Sequence, residues 1–199
     1  MKAKIISATM LLAVSLFGVA AETAPTKKPA SPEFERMKTL IGTWTGKTDM
    51  GQGPVDMNIR YRLIAAGSVL EERVFEGTPN EMVTMYYDNK DGKLAATHYC
   101  MLGNRPAMKV VSSDAKSITF DFDSSCCTID PAKESHMHGM TIRFDDADTI
   151  STSCKAIMEG KEMAHGPRNS FRQCSSRPSA DEHSSPAWDR HSRLFSKPT

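Results

Sequence analysis

Past residue 21 the chain lacks any stretch apolar enough to cross a membrane as a helix, and nowhere does it carry a dense stripe of lysine and arginine. A spanning helix needs about 20 consecutive apolar residues, so the first absence excludes further transmembrane helices. The second argues against nucleic acid or anionic lipid as the main partner. Charges of both signs are interspersed: 25 Lys and Arg face 24 Asp and Glu, or 23 face 24 once Lys2 and Lys4 are set aside. No cysteine pair is spaced C-x-x-C, so neither a zinc knuckle nor a thioredoxin-type motif is present. A Gly-rich phosphate loop, G-x-S-x-G and H-E-x-x-H are all missing. There is no internal repeat and no alternation of helix and strand patterns, which argues against a parallel α/β sheet.

What is there begins with an export signature. Lys2 and Lys4 precede an apolar run from Ile5 to Ala21 that ends in Val19-Ala20-Ala21. That order reads as a secretory signal peptide over 1–21 rather than an anchor, because the run is short for about 30 Å of hydrocarbon. The expected destination is the periplasm or the extracellular space, with no membrane attachment after cleavage. Export permits disulfides, yet five cysteines (Cys100, Cys126, Cys127, Cys154 and Cys174) leave one unpaired, and spacing does not give the connectivity. Residues 22–31 are rich in Pro, Lys and Thr and read as a flexible leader. From Ser175 the composition turns to Ser, Pro and charge, so 175–199 reads as a disordered tail. Docking through Trp188, Leu194 and Phe195 is the alternative for that tail.

Between leader and tail the periodicity changes once. Ser31 followed by Pro32 is an N-cap with proline at the first helical position, and Phe34, Met37 and Ile41 follow at helical spacing. A helix of about two turns is expected over Pro32 to Leu40, too short to stand unless its apolar face rests on something. From Gly42 onward the period is two. Met57, Ile59, Tyr61 and Leu63 alternate with Asn58, Arg60 and Arg62, and similar runs recur to Cys174, separated by turn residues. The expectation is an all-β single domain over 32–174: an antiparallel, up-and-down barrel of nine or ten strands with a short N-terminal helix.

Gly42-Thr43-Trp44-Thr45-Gly46, just after that helix, resembles the opening motif of calycin-like barrels such as lipocalins, fatty-acid-binding proteins and nitrobindins. Gly77-Thr78-Pro79-Asn80-Glu81-Met82, Thr97-His98-Tyr99-Cys100, Gly103-Asn104-Arg105-Pro106 and His136-Met137-His138 follow in order. Together with Phe34-Glu35-Arg36 and Leu40-Ile41-Gly42, they look like a family of secreted bacterial lipocalin-like proteins. The resemblance covers roughly 32–171. It implies a calycin-type fold, in which the tryptophan closes one barrel end, and an export route; it implies no activity.

Candidate chemistry gathers on two strands. On the strand over 93–101, Leu94, Ala96, His98 and Cys100 share one face, while Ala95, Thr97, Tyr99 and Met101 share the other. On the strand over 136–144, strict alternation puts His136, His138, Met140, Ile142 and Phe144 together. Three readings follow. The histidines are polar anchors for a small, partly apolar organic ligand, with Tyr99 or Tyr61 adding hydrogen bonds. Alternatively His98, His136 and His138 hold a metal or haem. Or they only satisfy buried carbonyls and one another. The first is preferred, with Trp44, Met57 and Tyr61 lining or closing the barrel and Arg105 at its mouth. The sequence names no cofactor. A Cys100/His98 nucleophile is disfavoured, since residues two apart on a strand rarely hydrogen-bond. Asp121 and Asp123 fit a solvated strand face. Thirteen methionines suit ordinary core filling, or a repackable cavity lining.

Overall fold

The computed structural model describes residues 28–49, 53–125, 129–163 and 169–174. The expected signal peptide, most of the expected leader, Cys126, Cys127 and the expected tail lie outside the described residues. Among the described residues eleven strands form: β1 Gly42–Asp49, β2 Pro54–Ile64, β3 Val69–Val74, β4 Met82–Asp88, β5 Leu94–Tyr99 and β6 Ala107–Ser113, then β7 Ser117–Phe122, β8 His136–Phe144, β9 Thr149–Met158, β10 Lys161–Met163 and β11 Asn169–Gln173. Consecutive strands pair antiparallel from β1 to β9, and β11 inserts between β9 and β1. That last pairing closes a ten-strand antiparallel barrel, an architecture compatible with the calycin-like fold. The ten strands of the barrel agree with the nine or ten expected. The extra one, β10, arises because the Glu159-Gly160 turn folds Lys161–Met163 back on β9 as a short ribbon.

The glycines of the G-x-W-x-G motif have separate physical reasons. Gly42 has φ of +128°, which side-chain-bearing residues rarely adopt. Gly46 is needed for space: a Cβ there would sit 2.3 Å from the Ser170 carbonyl oxygen and 2.6 Å from Cδ1 of Phe171. The Phe171 ring therefore lies directly over Gly46, where β11 seals the barrel against β1.

A short helix, α1 Pro32–Met37, continues as a 3-10 turn over Lys38–Leu40 and plugs one end. The cap is as expected: the Phe34 amide donates to Ser31 Oγ at 3.1 Å. Ser31 in turn donates from its amide and its hydroxyl to the Asp88 carboxylate, both at 2.6 Å, which pins the helix start to the end of β4. Arg36 donates to the carbonyls of Asp114 and Ala115 in the β6–β7 turn and lies 4.0 Å over the Phe144 ring. Below the helix, Phe34, Met37 and Leu40 are buried with Trp44, whose indole N–H donates to the Leu40 carbonyl at 2.7 Å. Each such apolar side chain contributes about 1.5–3 kcal/mol on burial, enough to hold a helix that is unstable alone.

Candidate functional site

Strand register brings the polar residues together inside the barrel. Tyr61 of β2 is opposite Glu72 of β3, Glu72 is opposite Thr84 of β4, and Thr84 is opposite His98 of β5. Residues directly opposite share a face, so the four make one inner row. Tyr61 Oη donates to Glu72 Oε2 at 2.6 Å, and Tyr86 Oη donates to the same oxygen at 2.9 Å. Thr84 also hydrogen-bonds Glu72, and its Oγ1 is 2.9 Å from His98 Nδ1. Tyr86 Oη lies 3.6 Å from Sδ of Met140, across the barrel on β8. His98 is 3% exposed, and its Nε2 finds no hydrogen-bond partner among the described residues.

This environment suppresses charge. Burial alone lowers the His98 pKa to about 4, so the ring is neutral at pH 7. Burial raises Glu72, against the pull of its three hydroxyl donors. Tyr61 and Tyr86 are held well above the usual phenol range, first by burial and then by the neighbouring Glu72. Cys154 of β9 is pushed up to about 12 by burial and Glu72, so it is a protonated thiol, and a weak nucleophile.

Cys154 also shows where the interior has room. Its register partner is Met140, an inner-face residue, and it sits close enough to Tyr61 and Tyr86 to affect their ionisation, and to Glu72 to be affected by it. Yet its surface is accessible, and the inner-face neighbours Thr152 and Ala156 are only part-buried. Inner-face side chains of β4 and β5 are packed by contrast: Thr84, Tyr86, Leu94, Ala96 and His98 expose at most 3%. Space therefore runs along the inner face of β9, facing the Glu72 cluster.

The residues expected at a site are distributed unevenly. Tyr61 and His98 lie in the inner row, both buried. Trp44 is buried at the plugged end, where it closes the barrel. Met57 is half-buried on the inner face opposite Gly46, packed on the core edge. Tyr99 is 48% exposed on the outer face, because it follows His98 by one residue and a strand turns successive side chains to opposite sides. It is not an anchor inside the barrel. Arg105 is exposed on the β5–β6 loop, after a turn in which Gly103 has φ of +79°.

The two later histidines do not share one inner face with Met140. The register slips between Met137 and Gly139, leaving His138 as the extra residue of a β-bulge. Met137 packs against the core instead. His136 is fully buried at the barrel end away from the helix, its ring centroid 4.7 Å from that of Phe122. Its Nδ1 is 2.6 Å from the Glu134 carbonyl oxygen, so that nitrogen carries the proton and donates. Its Nε2 then accepts from His138 Nδ1 at 3.0 Å. Burial lowers the His138 pKa, with Asp121 opposing. The structure thus pairs His136 with His138 and leaves His98 with Thr84. Among the described residues no group of three or more His, Cys, Asp or Glu side chains is placed to hold a metal ion.

Glu72, Tyr86 and Cys154 are the interior groups that sequence reasoning missed. A signal for Glu72 exists: Leu70, Glu72 and Val74 alternate along β3, and the flanking pair is apolar. Cys100, Cys154 and Cys174 are all thiols, none in a disulfide among the described residues. No protein-family model matches the chain, and no curated protein matches it.

Proposed function

We propose that the chain is an exported, non-catalytic, calycin-like binding protein that holds a small, partly apolar molecule inside its barrel. The observation that supports this reading is the meeting of a hydrogen-bonded polar cluster, Tyr61, Glu72, Thr84, Tyr86 and His98, with accessible inner-face surface on β9. Small-molecule sites are typically apolar clefts with a few fixed polar groups, which is the composition here. Binding rather than catalysis is favoured because the thiol is protonated, the histidine is neutral and, among the described residues, no activated nucleophile is in reach. The test is a titration of the purified protein with N-phenyl-1-naphthylamine, a neutral apolar fluorophore. Saturable one-to-one enhancement supports interior binding; emission no higher than with a packed protein of the same size contradicts it.

A further inference from the structure

We propose that the interior site is built for a primary amine: a small molecule whose protonated amino group rests on the Glu72 carboxylate while its apolar body lies along β9. The inference deepens the interior-binding reading and rests on it. Among the described inner-face residues the acidic side chains are Asp88, which Ser31 occupies at the plugged end, and Glu72, and no lysine or arginine joins Glu72. Arg60, Arg62, Arg73, Lys109, Arg143 and Lys155 alternate with inner-face residues and lie on the outside of the barrel. Tyr61, Tyr86 and Thr84 stabilise the carboxylate by hydrogen bonds but bring no countercharge. A carboxylate held there without a cation is costly, which is why burial raises its pKa, and a ligand that supplies a cation stabilises the ionised form. An anionic ligand such as a fatty acid would be repelled there.

The proton inventory points the same way. With an ammonium resting on it, Glu72 is ionised and only accepts, so the single Thr84 hydroxyl proton is given to it. Thr84 Oγ1 must then accept from His98 Nδ1–H, across the 2.9 Å separation. A neutral ring with its proton on Nδ1 has a bare acceptor at Nε2, the atom left without a partner. The polar side of the site therefore offers acceptors, and an ammonium offers three donors and no acceptor. Other N–H or O–H groups of the same ligand would suit His98.

The test compares phenethylamine with 2-phenylethanol, which has similar shape and no charge, by isothermal titration or by displacement of N-phenyl-1-naphthylamine. The wild type should bind the amine at least ~10-fold tighter than the alcohol, as expected of a desolvated charge-assisted contact. Glu72→Gln keeps an acceptor for the tyrosines and removes the charge, so that preference should vanish while alcohol binding persists. Equal wild-type affinity for both probes, or a preference that survives Glu72→Gln, overturns the amine inference and leaves interior binding standing. Binding of the neutral fluorophore with no displacement by either probe does the same. Failure of the fluorophore itself to bind overturns both. The wild-type comparison decides the matter even if the variant does not fold.

Discussion

At the plugged end of the barrel, Phe34, Met37, Leu40, Leu70, Ile118 and Ile142 expose no more than 2% of their surfaces, whereas midway along β9 the inner-face Thr152, Cys154 and Ala156 keep accessible surface. One region uses its interior to store folding free energy; the other gives some up. The difference follows from composition. The plugged end is filled by large apolar side chains with a tryptophan whose single donor is satisfied by Leu40. The middle is filled by hydroxyls, a carboxyl and an imidazole that hydrogen-bond one another. A fold with one solid end can tolerate a hollow, polar middle and keep its stability.

Substitutions can break that comparison. Leu70→Ala or Phe34→Ala should remove about 3–5 kcal/mol of stability in urea titrations, because each leaves a cavity in a packed region. Cys154→Ala should cost less than about 1 kcal/mol, since its surroundings are not tightly filled. Comparable losses for the two kinds of substitution would erase the distinction.

Acid should weaken the hollow region in a defined window. The folded-state pKa of His98 is lowered from 6.5 to about 4, so the unfolded chain binds the proton first. The stability of the neutral buried ring is complete above pH 6.5 and is lost as pH falls toward 4, by about 3 kcal/mol. Glu72 acts in the opposite sense: its raised pKa favours the folded state in acid, and that benefit fades as pH rises through the folded value. Comparing wild type with His98→Gln between pH 7 and pH 4 isolates the imidazole. Parallel curves would contradict its assignment as a buried neutral base. Outside the barrel, Glu71 is a control. It accepts from Arg62 Nε at 2.6 Å and Arg73 Nε at 2.8 Å, which holds its pKa at about 2, so its contribution is present above pH 4.5 and lost only below it.

Smaller effects sharpen the picture of the solid end. Gly46→Ala should cost about 1–3 kcal/mol, because the new methyl must displace the Ser170 backbone or the Phe171 ring. Ser31→Ala should cost about 1 kcal/mol through the lost helix cap. Both are read by thermal or urea unfolding. Neither should change binding of a neutral fluorophore, because both lie away from the Glu72 cluster.

Much of this fold is legible in the sequence, because a period of two survives along nearly every strand and turn residues separate the runs. The Ser31-Pro32 cap and the two glycines around Trp44 are local signals with local causes. The placement of His98 follows from the same parity, as does the outward position of Tyr99, one residue on. Parity fails at His138, where a bulge adds a residue that no alternation rule anticipates. At Glu71-Glu72-Arg73 parity holds and sends Glu72 inward between Leu70 and Val74, a position the run of three charges masks. Which strands face one another across the barrel is set by closure and stagger. For that reason the meeting of Tyr86 with Met140, and of Cys154 with Glu72, has no one-dimensional signature.

The most direct measurement is a pair of filling substitutions, Cys154→Phe and Thr152→Phe, examined for both unfolding and binding of N-phenyl-1-naphthylamine. A receptive space along β9 predicts that a phenyl ring enters it with less than about 1.5 kcal/mol of destabilisation and that saturable fluorophore binding is lost. Destabilisation of several kcal/mol with undiminished binding would place the packed and the receptive regions elsewhere in the barrel.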